Sequence, residues 1–165
     1  VFLVDVNGFM VGREVEQAGI AKAGAKMITA MSSARVPKFT VITGGSYGAG
    51  YLAMLGRPFQ PDAMFAWPNG RAAIMGPEQA ASVLAQVRAQ INDREGKIWT
   101  AEEEEVFKAP IRREYETFQD AYNFASNLWI DGVIEPAETR DVLALLLDVA
   151  SRRPKVDSHF GVFRF

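Results

Sequence analysis

The sequence contains no cysteine and a single histidine, His159. The lack of cysteine excludes a disulfide scaffold, thiol catalysis and thiolate metal sites, and one histidine cannot build a histidine-based metal cluster. No segment approaches the run of about 20 apolar residues that spans a bilayer. The mild net charge of −2 disfavours nucleic acid as a partner. We therefore expect no metal site, no membrane span and no nucleic-acid surface.

The chain has 165 residues, which is enough for one domain with a hydrophobic core. Its apolar pattern alternates between strands and helices, as is typical of an α/β layered architecture. The first predicted strand, Val1–Val6, starts at the first residue, so we interpret the chain as part of a longer polypeptide. The next predicted elements are a helix from Arg13 to about Ala34, a strand Phe39–Thr43, and short strands Met64–Trp67 and Ala72–Met75. A helix from Pro77 to about Arg94 follows, and then a helix that starts with a Thr100/Glu103 capping box, is interrupted by Pro110 and continues through Phe118. The last predicted elements are a helical piece Ala121–Trp129, a short strand within Asp131–Ile134 and a final helix from Pro136.

A glycine-rich segment, Gly44–Gly50, follows the predicted strand Phe39–Thr43 and precedes a predicted short helix, Tyr51–Leu55. A strand, a glycine-rich turn and a helix start together leave backbone N–H groups unpaired and directed at one point. Such a point binds an oxygen that carries negative charge, either a phosphate or an enolate that forms during a reaction. The segment is therefore the first candidate for a functional site.

One interpretation of this segment is an oxyanion hole. Gly48, Ala49 and Gly50 carry little or no side chain, so a ligand can reach the backbone there. A second, purely structural interpretation is that the glycines only permit a tight contact between strand and helix. A third is a phosphate loop, which is disfavoured because Tyr51 stands where the Walker A motif requires Lys.

A fourth interpretation is a nucleophile elbow, since Gly44–Gly48 fits the pattern G-x-S-x-G after a strand. Ser46 would be the nucleophile and His159 the base. An aspartate that orients the base would be one of Asp131, Asp141, Asp148 and Asp157. The pattern is short and glycine turns match it often, so the hydrolase is an alternative rather than the first hypothesis.

The loop after the first strand is a second candidate site. Gly8, Phe9, Met10 and Val11 form a glycine-flanked apolar stretch that suits the wall of a pocket for an apolar ligand. Core packing of Phe9 and Met10 is the alternative. Trp67 could line a pocket as well, but a buried core tryptophan is the commoner case.

The glycine-rich segment, the Gly8–Val11 loop and several further short motifs occur in the same order as in a known family. In these motifs the sequence resembles the carboxyltransferase (β) subunit of biotin-dependent acyl-CoA carboxylases, and most closely the 3-methylcrotonyl-CoA carboxylase type. The resemblance extends over nearly the whole chain. The blocks that carry it are Gly8–Arg13, Gly19–Lys22, Gly24–Met27, Val36–Lys38, Gly44–Gly50, Trp67–Asn69, Met75–Gly76, Glu78–Ala81, Arg94–Lys97, Asp131–Ile134, Pro136, Thr139–Arg140 and Phe160–Arg164.

This resemblance implies an α/β, crotonase-like (ClpP/crotonase) fold, in which ββα units form a spiral. Residues 1–165 would be the C-terminal part of the carboxyltransferase C-domain, a partial domain without its upstream strands. In the family, two such domains occur per subunit, and the active site lies between the N-domain of one subunit and the C-domain of another. We therefore expect a homo-oligomer of β subunits that is based on dimers and forms a hexamer.

The resemblance also implies the reaction, which is transfer of the carboxyl group from carboxybiotin to an acyl-CoA similar to 3-methylcrotonyl-CoA. By position, the N–H groups of Ala49 and Gly50 would form the oxyanion hole and hold the ureido oxygen of biotin as CO₂ leaves. Gly48, Tyr51 and Leu52 would complete the biotin site. Biotin would arrive on a carrier domain, a biotin carboxylase subunit would be a further partner, and this chain would hold no metal. The expected location is the bacterial cytoplasm, or the mitochondrial matrix in a eukaryote.

The sequence departs from the methylcrotonyl type in three places. Tyr51-Leu52 stand where that type usually has Asn-Tyr, Pro77 stands in place of a glycine, and Asp5–Gly8 is intermediate between two branches of the family. These changes bear on the acyl group and leave the proposed hole intact. Two alternatives remain beside the carboxyltransferase: a serine hydrolase that uses Ser46 and His159, and a non-catalytic assembly module.

Overall fold

The computed structural model describes residues 1–154 and residue 157. His159 and the aromatic segment 160–165 lie outside the described residues. The strands are β1 (Phe2–Val6), β2 (Phe39–Tyr47), β3 (Ala63–Ala66), β4 (Arg71–Ala73) and β5 (Gly132–Val133). The helices are α1 (Arg13–Gln17), α2 (Ile20–Ser33), α3 (Gly48–Ala53), α4 (Pro77–Arg94), α5 (Ala101–Phe118), α6 (Ala121–Ser126) and α7 (Thr139–Ser151), with 3₁₀ turns at Arg57–Phe59 and Pro136–Glu138.

All strand pairs within the described part of the chain's sheet are parallel, and the strand order is β1-β2-β3-β5. The central strand is β2, because β1 pairs along one of its sides, β3 pairs with its first half and β4 with its last residues, Gly45–Tyr47. The predicted α/β class is thus confirmed, and the structure adds that the sheet is parallel. The C-terminal ends of β1, β2 and β4 meet at one edge of the sheet, which is where parallel sheets place their sites.

The core lies on both sides of β2 and β3. One cluster contains Ile42, Met64 and Ile130, with half-buried Tyr51 and Phe124 packed against it. A second cluster joins Phe39 and Ala63 to Ala150 of α7. None of the helices in residues 1–154 is both long enough and apolar enough to cross a membrane.

Several predicted elements agree with the structure. The helix Pro77–Arg94 has the predicted bounds, and Thr100 and Glu103 form the predicted capping box at the start of α5. The two short strands around Pro68–Gly70 are present as β3 and β4, and both pair with β2.

Four predictions about these elements are wrong. The single helix from Arg13 to Ala34 is two helices, because Gly19 adopts a left-handed φ of 90° between them. The strand predicted to end at Thr43 runs on to Tyr47, and the helix predicted to start at Tyr51 starts at Gly48. Pro110 does not interrupt α5, which is continuous for 18 residues; packing against α4 offsets the one N–H bond that proline removes.

Candidate active site

The start of α3 is the centre of the candidate site. Strand β2 ends at Tyr47 and α3 begins at Gly48, with no loop between them. The first N–H groups of a helix have no acceptor within the helix. Among the described residues, no side chain caps α3, since Tyr47 at the N-cap makes no capping hydrogen bond. The amides at Gly48, Ala49 and Gly50 are therefore the groups available at this end of the helix.

Gly48 makes the abrupt change from strand to helix possible. Its φ is +55°, and a Cβ added to it would lie 3.0 Å from the carbonyl oxygen of Ile74. Both the conformation and the close approach require glycine. A left-handed residue followed by a helical one turns successive N–H groups towards a common point, as in the backbone nests that bind anions.

Gly50 has a different role, because it lies on the inner side of α3 and is buried. A Cβ at Gly50 would lie 3.0 Å from the Cα of Gly8 and 3.0 Å from Cγ2 of Val6. The loop after β1 therefore packs directly on the α3 backbone. The structural interpretation of the glycines is thus correct for Gly50 and compatible with the oxyanion-hole interpretation.

A cavity of about 810 Å³ opens in front of α3. Four of the predicted site residues line it: Gly48, Ala49, Tyr51 and Leu52. The other lining residues, mostly apolar or aromatic, are Arg57, Pro58, Ala72, Ala73, Ile74, Glu114, Tyr115, Phe118, Phe124 and Trp129. Such a cavity, with few polar groups and the first residues of α3 in its wall, suits an apolar ligand that carries one electron-rich oxygen.

A polar network fixes one wall of the cavity. The guanidinium of Arg57 pairs with Asp131 at 3.2 Å, and Asp131 also accepts a hydrogen bond from the Met64 amide at 2.7 Å. The Arg57 amide donates to the hydroxyl of Tyr51 at 2.8 Å. Because Arg57 is already paired with a carboxylate, it gives the cavity little net positive charge.

Tyr47, at the N-cap of α3, and Tyr51, within α3, stay protonated at neutral pH. Burial raises the pKa of the Tyr51 phenol, and the bond from the Arg57 amide only partly offsets this. Burial likewise raises the pKa of Tyr47, with a smaller opposing effect of Arg71; the Tyr47 hydroxyl donates to Oε1 of Gln119 at 2.7 Å. Neither phenol can act as a base at neutral pH.

The nucleophile-elbow interpretation is wrong for Ser46. Ser46 lies within β2 rather than on a turn, pairs with Ala72 of β4, and is only 1% exposed. Its Oγ is buried without a hydrogen-bond partner among the described residues. A nucleophile must be reachable by its substrate, so the hydrolase hypothesis lacks its central group. His159, the other member of that hypothesis, lies outside the described residues.

The predicted pocket residues of the Gly8–Val11 loop lie away from the cavity lining. Phe9 packs on Gly24 of α2, whereas Met10 is 70% and Val11 88% exposed. Trp67 is not in the cavity either: its indole N–H donates to Oγ1 of Thr139 at 2.9 Å and anchors the start of α7. The walls that α5 and α6 supply were not predicted from the sequence, because those residues follow α3 by more than 50 positions and no short motif marks them.

The sequence model of the carboxyl transferase domain matches residues 1–161. The chain belongs to the carboxyl transferase domain family. It is 54% identical over 164 residues to the methylcrotonoyl-CoA carboxylase beta chain, mitochondrial, of Arabidopsis thaliana, covering 99% of this chain and 28% of that protein. It is 52% identical over 163 residues to the biotin-dependent 3-methylcrotonyl-coenzyme A carboxylase beta1 subunit of Mycobacterium tuberculosis, covering 99% of this chain and 31% of that protein.

Members of the carboxyl transferase domain family are also similar in structure. The beta subunit of P. aeruginosa geranyl-CoA carboxylase superposes with a TM-score of 0.84 at 40% identity, over 99% of this chain and 31% of that one. The chain thus spans less than a third of the length of the relatives that it matches. The resemblance to the carboxyltransferase family that the sequence motifs indicated is thus confirmed.

Proposed function

We propose that this chain is the C-terminal part of the C-domain of a carboxyltransferase β subunit, with a crotonase-like ββα spiral whose upstream strands belong to the rest of the subunit. The enzyme would be a biotin-dependent acyl-CoA carboxylase that carboxylates an acyl-CoA similar to 3-methylcrotonyl-CoA. The identity of more than half to two methylcrotonoyl-type chains supports this assignment. In the reaction, a C–N bond to the carboxyl group breaks and a C–C bond to the acyl carbon forms.

The start of α3 is the observation that carries the proposal. Ala49 faces the cavity and Gly48 leaves the backbone bare beside it. A ureido oxygen is an electron-rich acceptor, and the apolar lining of the cavity suits a fused ring system. The residues therefore fit biotin, which would supply the carboxyl group when it is bound on its carrier domain. Ala49 and Gly50 would donate to the ureido oxygen, with Tyr51 and Leu52 beside it.

The contribution of this chain to the reaction would be electrostatic. One preorganised donor of this kind lowers a barrier by about 2.7–4 kcal/mol where negative charge develops. Both nearby phenols are protonated at neutral pH, so they cannot compete for the proton that leaves the acyl carbon. When bound, biotin would supply the basic nitrogen that the reaction needs, and the amides of Ala49 and Gly50 would hold its ureido oxygen.

The remaining parts of the active site would come from other chains. The acyl-CoA would be held by the N-domain of a neighbouring β subunit, in a homo-oligomer based on dimers and completed as a hexamer. A biotin carrier domain and a biotin carboxylase subunit would be the other partners. Met10 and Val11, both exposed, would face the substrate side of this assembly. The enzyme would lie in the bacterial cytoplasm or, in a eukaryote, in the mitochondrial matrix.

Substitution of Ala49 by proline tests this function. Ala49→Pro deletes one N–H donor, and proline is tolerated in the first turn of a helix, where that N–H has no intrahelical acceptor. In the full-length, assembled subunit, kcat for carboxyl transfer with free biotin should fall about 100- to 1000-fold.

The matched control is Ala49→Ser, which keeps the N–H and places a small side chain at an exposed position. It should retain near-normal turnover, and size-exclusion chromatography should show the same oligomer for both variants. Normal turnover of Ala49→Pro would contradict the proposed oxyanion hole. Loss of the oligomer in that variant would favour the assembly module instead.

A further inference from the structure

The loop that follows β1 presses on the back of α3. Gly8 has a left-handed φ of +107°, and its Cα and N would lie 3.0 Å and 3.2 Å from a Cβ placed on Gly50. A methyl group on Gly50 would therefore require one of the two backbones to move by a few tenths of an ångström. The position of α3, and of the amides at its start, therefore depends on where this loop lies.

The next residue, Phe9, joins the loop to α2. Its half-buried ring is seated on the backbone of Gly24 in α2. A Cβ on Gly24 would lie 2.9 Å from Cζ of Phe9 and closer still to Cε2. Gly24 is buried in the α2 face that turns towards the loop, and α2 also contacts α3. The ring thus connects a long, regular helix to the loop that supports α3.

We infer that Phe9 is a positioning residue that acts on the amides of Ala49 and Gly50 through Gly8. The contacts run from Gly24 to Phe9, from Gly8 to Gly50, and so to the N-terminal turn of α3. This inference rests on the proposed function, because it assigns a role relative to the proposed oxyanion hole. A displacement of about 1 Å at a reacting centre can cost roughly 100-fold in rate, so a small shift of the loop is enough to matter.

Two other roles for Phe9 make different predictions. If the ring only fills the core, substitution lowers the unfolding temperature and leaves kcat per folded subunit unchanged. If the ring is a wall of the ligand site, substitution raises the KM for free biotin. A positioning role lowers kcat per folded subunit, with the KM for acyl-CoA and for biotin nearly unchanged.

The experiment compares Phe9→Ala, Gly24→Ala and the double variant Gly24→Ala/Phe9→Leu in the full-length, assembled enzyme. Phe9→Ala removes the ring, and Gly24→Ala pushes the ring off α2. Each should lower kcat roughly 10- to 100-fold. Leucine lacks the Cε2 and Cζ atoms that approach Gly24, so the double variant should recover most of the rate that Gly24→Ala loses. Ala23→Ser, an exposed neighbour on α2, is the control and should retain the normal rate.

The inference is overturned if the single variants leave kcat unchanged, if they raise the KM for biotin at constant kcat, or if the double variant is no faster than Gly24→Ala. Should Phe9→Ala fail to fold, the rescue of Gly24→Ala by Phe9→Leu decides the question. A normal rate in Ala49→Pro would overturn the proposed function itself. Normal rates in the Phe9 and Gly24 variants beside an inactive Ala49→Pro would overturn only the inference made here.

Discussion

At the scale of single residues, the candidate site depends on backbone conformation more than on functional side chains. Gly48 and Gly96 both have left-handed φ angles, of +55° and +68°. Gly48 also approaches the Ile74 carbonyl, whereas no atom lies within 4 Å of a Cβ added to Gly96. The pair therefore separates the cost of the backbone conformation from the cost of the close contact.

We expect Gly96→Ala to lower the free energy of unfolding by about 1–2 kcal/mol, the cost of a left-handed backbone for an L-residue. Gly48→Ala should lower it by about 2–4 kcal/mol, because the methyl group also overpacks against the Ile74 carbonyl. Urea-induced unfolding of both variants measures the difference. Equal losses would mean that the contact at Ile74 is relieved at no cost and that Gly48 is required for its φ alone.

At the scale of elements, local signals predicted some bounds well and others badly. The bounds of α4 could be predicted because Pro77 at its start, and Glu95 and Gly96 at its end, act through their own backbones. The end of β2 depends instead on residues far along the chain. Gly45 donates its N–H to Oδ1 of Asp5 at 2.8 Å, and β4 pairs with β2 up to Tyr47. These long-range bonds override the turn preference of the glycines.

One side of the candidate site could likewise be predicted from the sequence, and the other could not. Gly48 to Leu52 are contiguous and form a recognisable motif, and four of the five line the cavity. The opposite wall comes from Phe118, Phe124 and Trp129. This wall forms only because the chain brings α5 and α6 back to the edge of the sheet. The amide of Ala72 in β4 donates a hydrogen bond to the Gln119 carbonyl, at the end of α5, at 3.0 Å. No local feature of the sequence predicts that long-range contact.

Asp62 connects the start of β2 to the end of α7. Its carboxylate accepts a hydrogen bond from the Lys38 amide at 2.7 Å and pairs with Arg153. Burial by itself would raise the pKa of Asp62, but the Lys38 amide and Arg153 outweigh burial and lower it. The folded pKa is therefore below the unfolded value of about 3.9. The stability that Asp62 contributes is present above pH 3.9 and is lost as the pH falls through the folded pKa.

We expect Asp62→Asn to be less stable than the unaltered protein at about pH 7 and to differ from it less at about pH 2.5, because falling pH protonates the carboxyl group first in the unfolded chain and then, through the folded pKa, in the folded chain. Urea midpoints at the two pH values measure this. Arg153→Met, which removes one of the two stabilising partners, should show a smaller effect in the same direction. A difference between Asp62→Asn and the unaltered protein that is independent of pH would contradict the assignment.

At the scale of the whole molecule, the cavity is open and its rim is apolar. Ile74 is 80% exposed, Phe118 51% and Trp129 43%. A contiguous exposed apolar surface of this kind marks a site of interaction. Under the proposed function, this surface faces the domain that holds the acyl-CoA.

The 165-residue chain by itself should therefore show no carboxyl transfer to acyl-CoA, whereas the full-length, assembled β subunit should show it. The physical reason is that the chain would supply the donors for one oxygen and no means of holding the second reactant beside it. A single assay of both proteins with free biotin and 3-methylcrotonyl-CoA measures this. Turnover by the isolated chain at a rate similar to that of the full-length subunit would contradict the division of labour between domains.

The main-chain origin of the donors at α3 has a consequence for how such an enzyme can change over generations. A codon change at position 49 exchanges a side chain, yet nineteen of the twenty encoded amino acids bring an identical N–H with them; only proline lacks it. Under the proposed function, the walls around the site can therefore change by substitution while the amide that would hold the ureido oxygen is retained.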